Sequence, residues 1–280
     1  MSIKVCALDS NLVIRDLPVF SQEKTLDEIS RKLPQGLYST FRTYFGAQKV
    51  IGLGVHLNRI FVKCEEAGIK PSVTSDGLRL GIRRLLQEFG PKEARVRICL
   101  SLLDQPGQIF VLIENFKPVD EDIIQHGVSV VTTGIVRTDP RIKSTEFINK
   151  SQMERQALAA KGIYEALITR NEQIMEGMTS NFYAVQNSKV ITARNGILLG
   201  VTRRVILRLI RVQAMLIEYR SLRIAELPSI DEAFITSSSR GVVPVVCING
   251  ITVGEGKPGK ITNLLRAAYD TYVTQKAETI

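Results

Sequence analysis

Hydrophobic residues along the chain fall into two spacings. In "HLNRIFVKCEEAGI", Leu57, Ile60, Phe61 and Cys64 recur at i, i+3, i+4 and i+7, the stripe of an amphipathic helix, and Gly68 closes it. "DGLRLGIRRLLQEFG" repeats that spacing and predicts a second helix. "TLDEISRKLP" opens with Thr25, has a glutamate three residues on and stops at Pro34, so a short capped helix is expected there. "GLYSTFRTYFG" instead sets β-branched and aromatic residues between glycines and reads as a strand. "ARVRICLSLL" and "QIFVLIENF" predict a strand pair joined across the turn-forming "DQPG".

The periodicity breaks around residues 115–127, where "FKPVDEDIIQHG" is polar and carries both a proline and a glycine. This suits a linker, placed at residues 118–127, between an N-terminal α/β domain (1–117) and a C-terminal domain (128–280). Beyond it, "VSVVTTGIV" reads as a strand, "SQMERQALAAKG" as a helix, and "YEALIT" with "NFYAVQNSKVITA" as a hairpin set. "TRRVILRLIRVQ" is the next helix, "EAFITSS" and "VVPVVCING" are strands, and a last helix is expected from about Thr262. Strands and helices mix without a regular βαβ repeat, which predicts an α+β fold.

Composition narrows the class. With 44% hydrophobic and 23% charged residues over 280 positions, the chain is globular rather than disordered. It has no apolar run of 18 residues, so no membrane span is expected. "MSIKVCALDS" does not read as a signal peptide. The cysteines at 6, 64, 99 and 247 are too scattered for a disulfide frame or a zinc site, and a cytoplasmic setting is expected. Lys and Arg outnumber Asp and Glu by 37 to 28. The densest basic group, "RRVILRLIR", is however split by apolar residues at helical spacing, so no nucleic-acid partner is expected. A small phosphorylated ligand needs only a few of these arginines. His56 and His126 lack companions at metal-ligand spacing. Neither a G-x-S-x-G elbow nor a P-loop occurs, and no dinucleotide fingerprint is read.

Candidate chemistry lies in the order of several weak signals. Gly200 precedes a helix beginning Val201-Thr202, whose free N–H groups and hydroxyl could seat a phosphate, although a threonine there is also an ordinary cap. The hydroxyls Thr236 to Ser239 at a strand end could hold phosphate oxygens or simply line a loop. Arg59 could bind phosphate through two parallel hydrogen bonds or be solvated. Lys143 in "RIKSTEF" could form an imine with an aldehyde cofactor, and Glu176 in "IMEGMTSNF" could keep a pyridine nitrogen protonated. Together these pieces make up the requirements of pyridoxal phosphate chemistry.

In that order, "IKS" with its following Phe, "YEALITRNEQIMEGMTSNFYAV" and "GILLGVTRRVI" resemble the fold-type IV, or class IV, pyridoxal phosphate enzymes. These include branched-chain aminotransferases, D-amino-acid aminotransferases and aminodeoxychorismate lyases. The likeness is densest over residues 141–212 and continues through "GLYSTFRTY", "HLNRI" and "EAFITSSSRGVVPV". It implies a two-domain α+β fold with pyridoxal 5'-phosphate in the interdomain cleft, and a homodimer. By the same resemblance Lys143 is the Schiff-base lysine and general base, and Glu176 the partner of the pyridine nitrogen. Arg59, Val201, Thr202, Ser237 and Ser238 hold the phosphate. Leu199 packs on the ring, Asn181 supports the strand of Glu176, and Tyr38 lines the substrate pocket.

Three departures lie mostly on the substrate side: "KLPQGLY" replaces an acidic-Gly pair, Phe147 follows Glu146 rather than Asn, and "LSLLD" replaces the "TRG" of D-amino-acid and lyase members. The expected reaction is transamination between an amino acid and a 2-oxo acid. A branched-chain-like L-amino acid is favoured because Arg42 and Arg97 fall where branched-chain members carry arginines, though each could equally serve a salt bridge. Aminodeoxychorismate lyase and D-amino-acid aminotransferase are the alternatives. A non-catalytic binding protein is disfavoured by the presence of both Lys143 and Glu176.

Overall fold

The computed structural model describes residues 3–11, 14–17, 20, 22–90 and 92–280. The chain divides into two compact units, one formed by residues 1–117, 143–150 and 276–280, the other by 118–142 and 151–275. In chain order the first unit begins with β1 (Lys4–Leu8), β2 (Ile14–Asp16), α1 (Leu26–Lys32), β3 (Gly36–Tyr44) and β4 (Lys49–Val50). It continues with α2 (Leu53–Glu66), α3 (Ser75–Phe89), β5 (Ala94–Ser101) and β6 (Ile109–Asn115). The second unit starts with α4 (Glu121–His126) and β7 (Val128–Thr133), after which α5 (Thr145–Lys150) returns to the first. Then come α6 (Gln152–Ala160), β8 (Glu165–Arg170), β9 (Gln173–Gly177), β10 (Asn181–Gln186), β11 (Lys189–Ile191) and α7 (Val201–Val212). The second unit closes with β12 (Leu216–Glu218), β13 (Leu222–Arg223), a 3-10 turn at Ile224–Ser229, β14 (Glu232–Ser237), β15 (Gly241–Ile248), β16 (Ile251–Thr252) and α8 (Lys260–Lys276). Finally β17 (Glu278–Thr279) rejoins the first unit.

Among the described residues, the sheet of the first unit runs β17-β4-β3-β5-β6-β1-β2, antiparallel throughout. β3 and β5 are buried along nearly their whole length, because helices cover both faces. On one face Tyr38, Cys99 and Leu112 pack with Leu26 and Ile29 of α1, Leu33 just after it and Ile148 of α5. On the other, Phe41 meets His56 of α2, with ring centroids 5.2 Å apart. A doubly covered strand has no polar face, which is why "GLYSTFRTY" does not alternate cleanly.

The second sheet is mixed, ordered β12-β11-β10-β14-β15-β7-β8-β9-β13 with β16 on β15. The β15-β7, β7-β8 and β11-β12 pairs are parallel. Its core joins Val130, Leu167, Phe182, Ile235, Val243 and Val245. Within the stretch expected as a linker, α4 forms because the Asp120 carboxylate accepts the Asp122 N–H and Gly127, at φ 76°, ends the turn. Val119 and Ile123 pack against the core of the second unit.

Candidate active site

Lys143 belongs to the first unit, stitched to β3 by backbone. Its carbonyl accepts the Tyr38 N–H at 2.8 Å, Leu37 bridges Ser144, and the Thr145 hydroxyl both accepts from the Gly36 N–H (2.9 Å) and donates to the Gly36 carbonyl (3.2 Å). Gly36 is required there, since a Cβ would stand 1.8 Å from the Leu100 carbonyl oxygen. Lys143 therefore sits where the chain crosses Gly36-Leu37-Tyr38, with its ammonium 5.0 Å from the centre of the Tyr38 ring. The Arg97 guanidinium is 4.7 Å from the same ring centre. Arg97 itself is fully engaged: it pairs with Asp27 (2.7 Å) and donates to the Ser30 and Thr40 hydroxyls and the Leu26 carbonyl. Burial works against its charge, but Asp27 beside it leaves the net shift upward. Arg42 lies 3.6 Å from the Phe116 ring centre and 4.4 Å from that of Tyr44. Arg42 and Arg97 thus both have partners inside the first unit.

Arg59 lies one turn after His56 on α2, and the structure attaches an unforeseen residue to it. His56 is 1% exposed, shares a 2.8 Å hydrogen bond between Nδ1 and the Ser39 hydroxyl, and has no hydrogen-bond partner at Nε2 among the described residues. Burial, then the charges of Arg59 and Lys143, push its pKa well below the ordinary histidine value. The imidazole is neutral, and one buried group senses both cations. The sequence shows only that His56 precedes Arg59 by three residues.

Glu176, in the second unit, is 2% exposed and held from two sides. Arg137 Nε stands 3.1 Å from Oε1, and the Leu198 N–H donates to Oε2 at 3.0 Å. Arg137 also donates to the Met178 carbonyl. Arg137 escapes sequence reasoning because no spacing rule links it to Glu176. Asn181 donates to the Leu198 carbonyl at 2.7 Å, so it grips the segment leading into α7 as well as opening the strand after Glu176.

That segment delivers Leu199, 43% exposed, and then the α7 start with Val201 and Thr202 buried. Gly200 caps α7 without a side-chain bond, and the first turn carries no acidic residue. A Cβ on Gly200 would meet Asn181 Oδ1 at 2.3 Å. The helix start thus keeps N–H groups that no side chain of its own caps, the donor set an anionic phosphate needs. α7 packs on β14, whose end holds Ser237; Ser238 follows, and both are half-buried. Asn181 pairs with Thr236 in register, which brings Glu176, Asn181, Leu199, Val201, Thr202 and Ser237 into one neighbourhood of the second unit.

Gly254-Glu255-Gly256-Lys257-Pro258-Gly259 does spell G-x-G-x-x-G ahead of α8, contrary to the expectation that no such fingerprint exists. It is not an anion seat. The Glu232 carboxylate already accepts the Ile261 and Thr262 N–H groups and the Thr262 hydroxyl at 2.7–2.9 Å.

The model of the family described as amino-transferase class IV matches residues 36–248. The D-alanine aminotransferase of Bacillus licheniformis is 28% identical over 262 residues, covering 88% of this chain and 90% of its own. A "Probable branched-chain-amino-acid aminotransferase" of Thermotoga maritima is 28% identical over 270 residues, covering 90% and 94%. Among solved structures, the T.th. branched-chain amino acid aminotransferase with pyridoxamine 5'-phosphate superposes at TM-score 0.80 with 17% identity, covering 99% of this chain and 95% of that one. The branched-chain aminotransferase of Thermoproteus uzoniensis with norvaline gives 0.78 with 21% identity, covering 99% and 96%.

The chain belongs to the class IV aminotransferases, a pyridoxal phosphate-dependent enzyme family, and has their fold. The expected α+β class, enzyme class and cofactor are borne out.

Proposed function

We propose that the chain moves an amino group between a branched-chain-like L-amino acid and a 2-oxo acid. Pyridoxal 5'-phosphate supplies an electrophilic carbon for the amino group and an electron-accepting ring. Lys143 is the residue to which the cofactor attaches and the base that moves the substrate α-proton. Neutral His56 adds no positive charge beside it. Glu176, fastened by Arg137 and the Leu198 N–H, presents an anionic oxygen to a ring nitrogen and so favours that nitrogen's protonated form. Arg59, the Val201 and Thr202 N–H groups and the Ser237 and Ser238 hydroxyls would hold the phosphate, and Leu199 would pack on the ring. Tyr38, steadied by Arg97, lines the substrate side, with Arg42 at its margin. The protein acts as a homodimer on small-molecule substrates. Its four cysteines are all free, which supports a cytoplasmic, reducing setting.

The observation that carries the substrate preference is Leu100-Ser101-Leu102-Leu103-Asp104, in which Leu102 is half-buried and Leu103 57% exposed, where D-amino-acid members carry "TRG". The D-alanine aminotransferases among the relatives favour a second reading, a D-amino-acid substrate. To test these, the loaded protein is mixed with L-leucine, L-isoleucine, L-valine, D-alanine and aminodeoxychorismate while cofactor absorbance is followed. The branched-chain L-amino acids should convert it to the amine form fastest. D-alanine fastest would establish the second reading, and 4-aminobenzoate release would make it a lyase. Borohydride reduction and peptide mapping should find the pyridoxyl group on Lys143; a label on Lys150 would sink the lysine assignment.

A further inference from the structure

One guanidinium in the second unit fastens the strand end at Ser237 to the turn after Glu176. Arg240 Nη2 donates to Glu165 Oε2 at 3.0 Å and to the Thr179 hydroxyl at 2.6 Å, while Nε donates to the Ser237 hydroxyl at 3.1 Å. Glu165 is the hub, its side chain 4% exposed. Oε1 accepts both the N–H and the hydroxyl of Thr179, and Oε2 accepts the Ser180 hydroxyl at 3.1 Å. The space is filled, because a Cβ on Gly177 would lie 2.2 Å from Ser180 Oγ and 2.8 Å from Glu165 Oε1. Tyr164 lies beside the guanidinium, its ring centre 5.3 Å away. Burial opposes the Arg240 charge, but Glu165 and then Tyr164 turn the shift upward, so Arg240 stays cationic. None of these contacts is needed to form β14 or β10, whose ladder pairs Asn181 with Thr236.

A serine hydroxyl has one proton and two acceptor positions. With a charged N–H donating into Ser237 Oγ, its own proton must point elsewhere, and a donor polarised this way is stronger toward an anion. We propose that Arg240 is a positioning residue for the cofactor's phosphate group, acting by aiming and polarising the Ser237 hydroxyl. This role rests on the functional reading above, in which Ser237 receives the phosphate.

The test compares binding of pyridoxal 5'-phosphate with binding of pyridoxal, which lacks the phosphate, by equilibrium dialysis of the full chain. Arg240→Gln should weaken pyridoxal 5'-phosphate about tenfold and leave pyridoxal within twofold, since one charge-assisted contact is lost. Arg240→Gln combined with Glu165→Gln removes both charges together, so a folding defect from an unpaired carboxylate is avoided, and the same selective loss is expected. In a Ser237→Ala background the Arg240→Gln loss should shrink below twofold. Equal weakening of both ligands, or an undiminished loss without Ser237, would overturn the role and leave Arg240 as a structural brace. A parent protein that binds neither ligand would overturn the functional reading itself.

Discussion

Two helix starts in the second unit, α7 and α8, invite opposite readings from their letters and from their atoms. The residues before α8 spell G-x-G-x-x-G, the pattern of a phosphate loop. Yet Glu232 fills that helix start, and Gly259 is glycine because a Cβ would fall 1.9 Å from the Glu232 carboxyl carbon. The residues around the start of α7 show only Leu-Gly-Val-Thr, but Gly200 gives no side-chain cap and no acidic residue stands in the first turn. Both glycines answer to close approach by a side chain, Glu232 in one case and Asn181 in the other. What separates the two is the charge of that neighbour. A carboxylate satisfies the helix dipole internally, whereas an amide pointed at Leu198 leaves the dipole to a ligand.

The comparison breaks most sharply if α7 is given a carboxylate of its own. Gly200→Asp should raise the dissociation constant of pyridoxal 5'-phosphate about a hundredfold or more, because its carboxylate competes for the helix-start donors and its Cβ presses on Asn181 Oδ1. An unchanged constant in dialysis would mean that α7 is not the phosphate seat. Removing the carboxylate from α8 should act on stability alone. Glu232→Ala should cost about 1–2 kcal/mol and lower Tm by about 3–6 °C, with cofactor affinity unaltered. A calorimetric Tm equal to the parent's would show that the Glu232 cap contributes little. The smallest effect belongs to Thr202→Val, which keeps shape and removes one hydroxyl. About fivefold weaker cofactor binding is expected, because the α7 backbone N–H groups keep most of the hydrogen bonds to the phosphate. A tenfold or larger loss would mean that the hydroxyl outweighs the α7 backbone groups.

Local spacing determined much of this protein. Thr25 with Glu28 marked α1, where the Thr25 hydroxyl accepts the Glu28 N–H at 3.1 Å, and the Leu57–Cys64 stripe marked α2. The strands β3, β5, β6, β14 and β15 were legible from their β-branched runs. These features come from backbone preference and side-chain periodicity, both of which act within a few residues. The ordered motifs around Lys143, Glu176 and Gly200 also carried the family. Tertiary structure alone decided which groups meet. It laid Lys143 along Gly36–Tyr38, more than a hundred residues earlier in the chain. It placed Arg137 on Glu176, turned His56 toward Ser39, tied Arg97 to Asp27, and closed α8 with Glu232 while leaving α7 uncapped. None of these partners shares a local pattern, because an ion pair or a cap depends on distance through space and on burial. Spacing along the chain encodes neither.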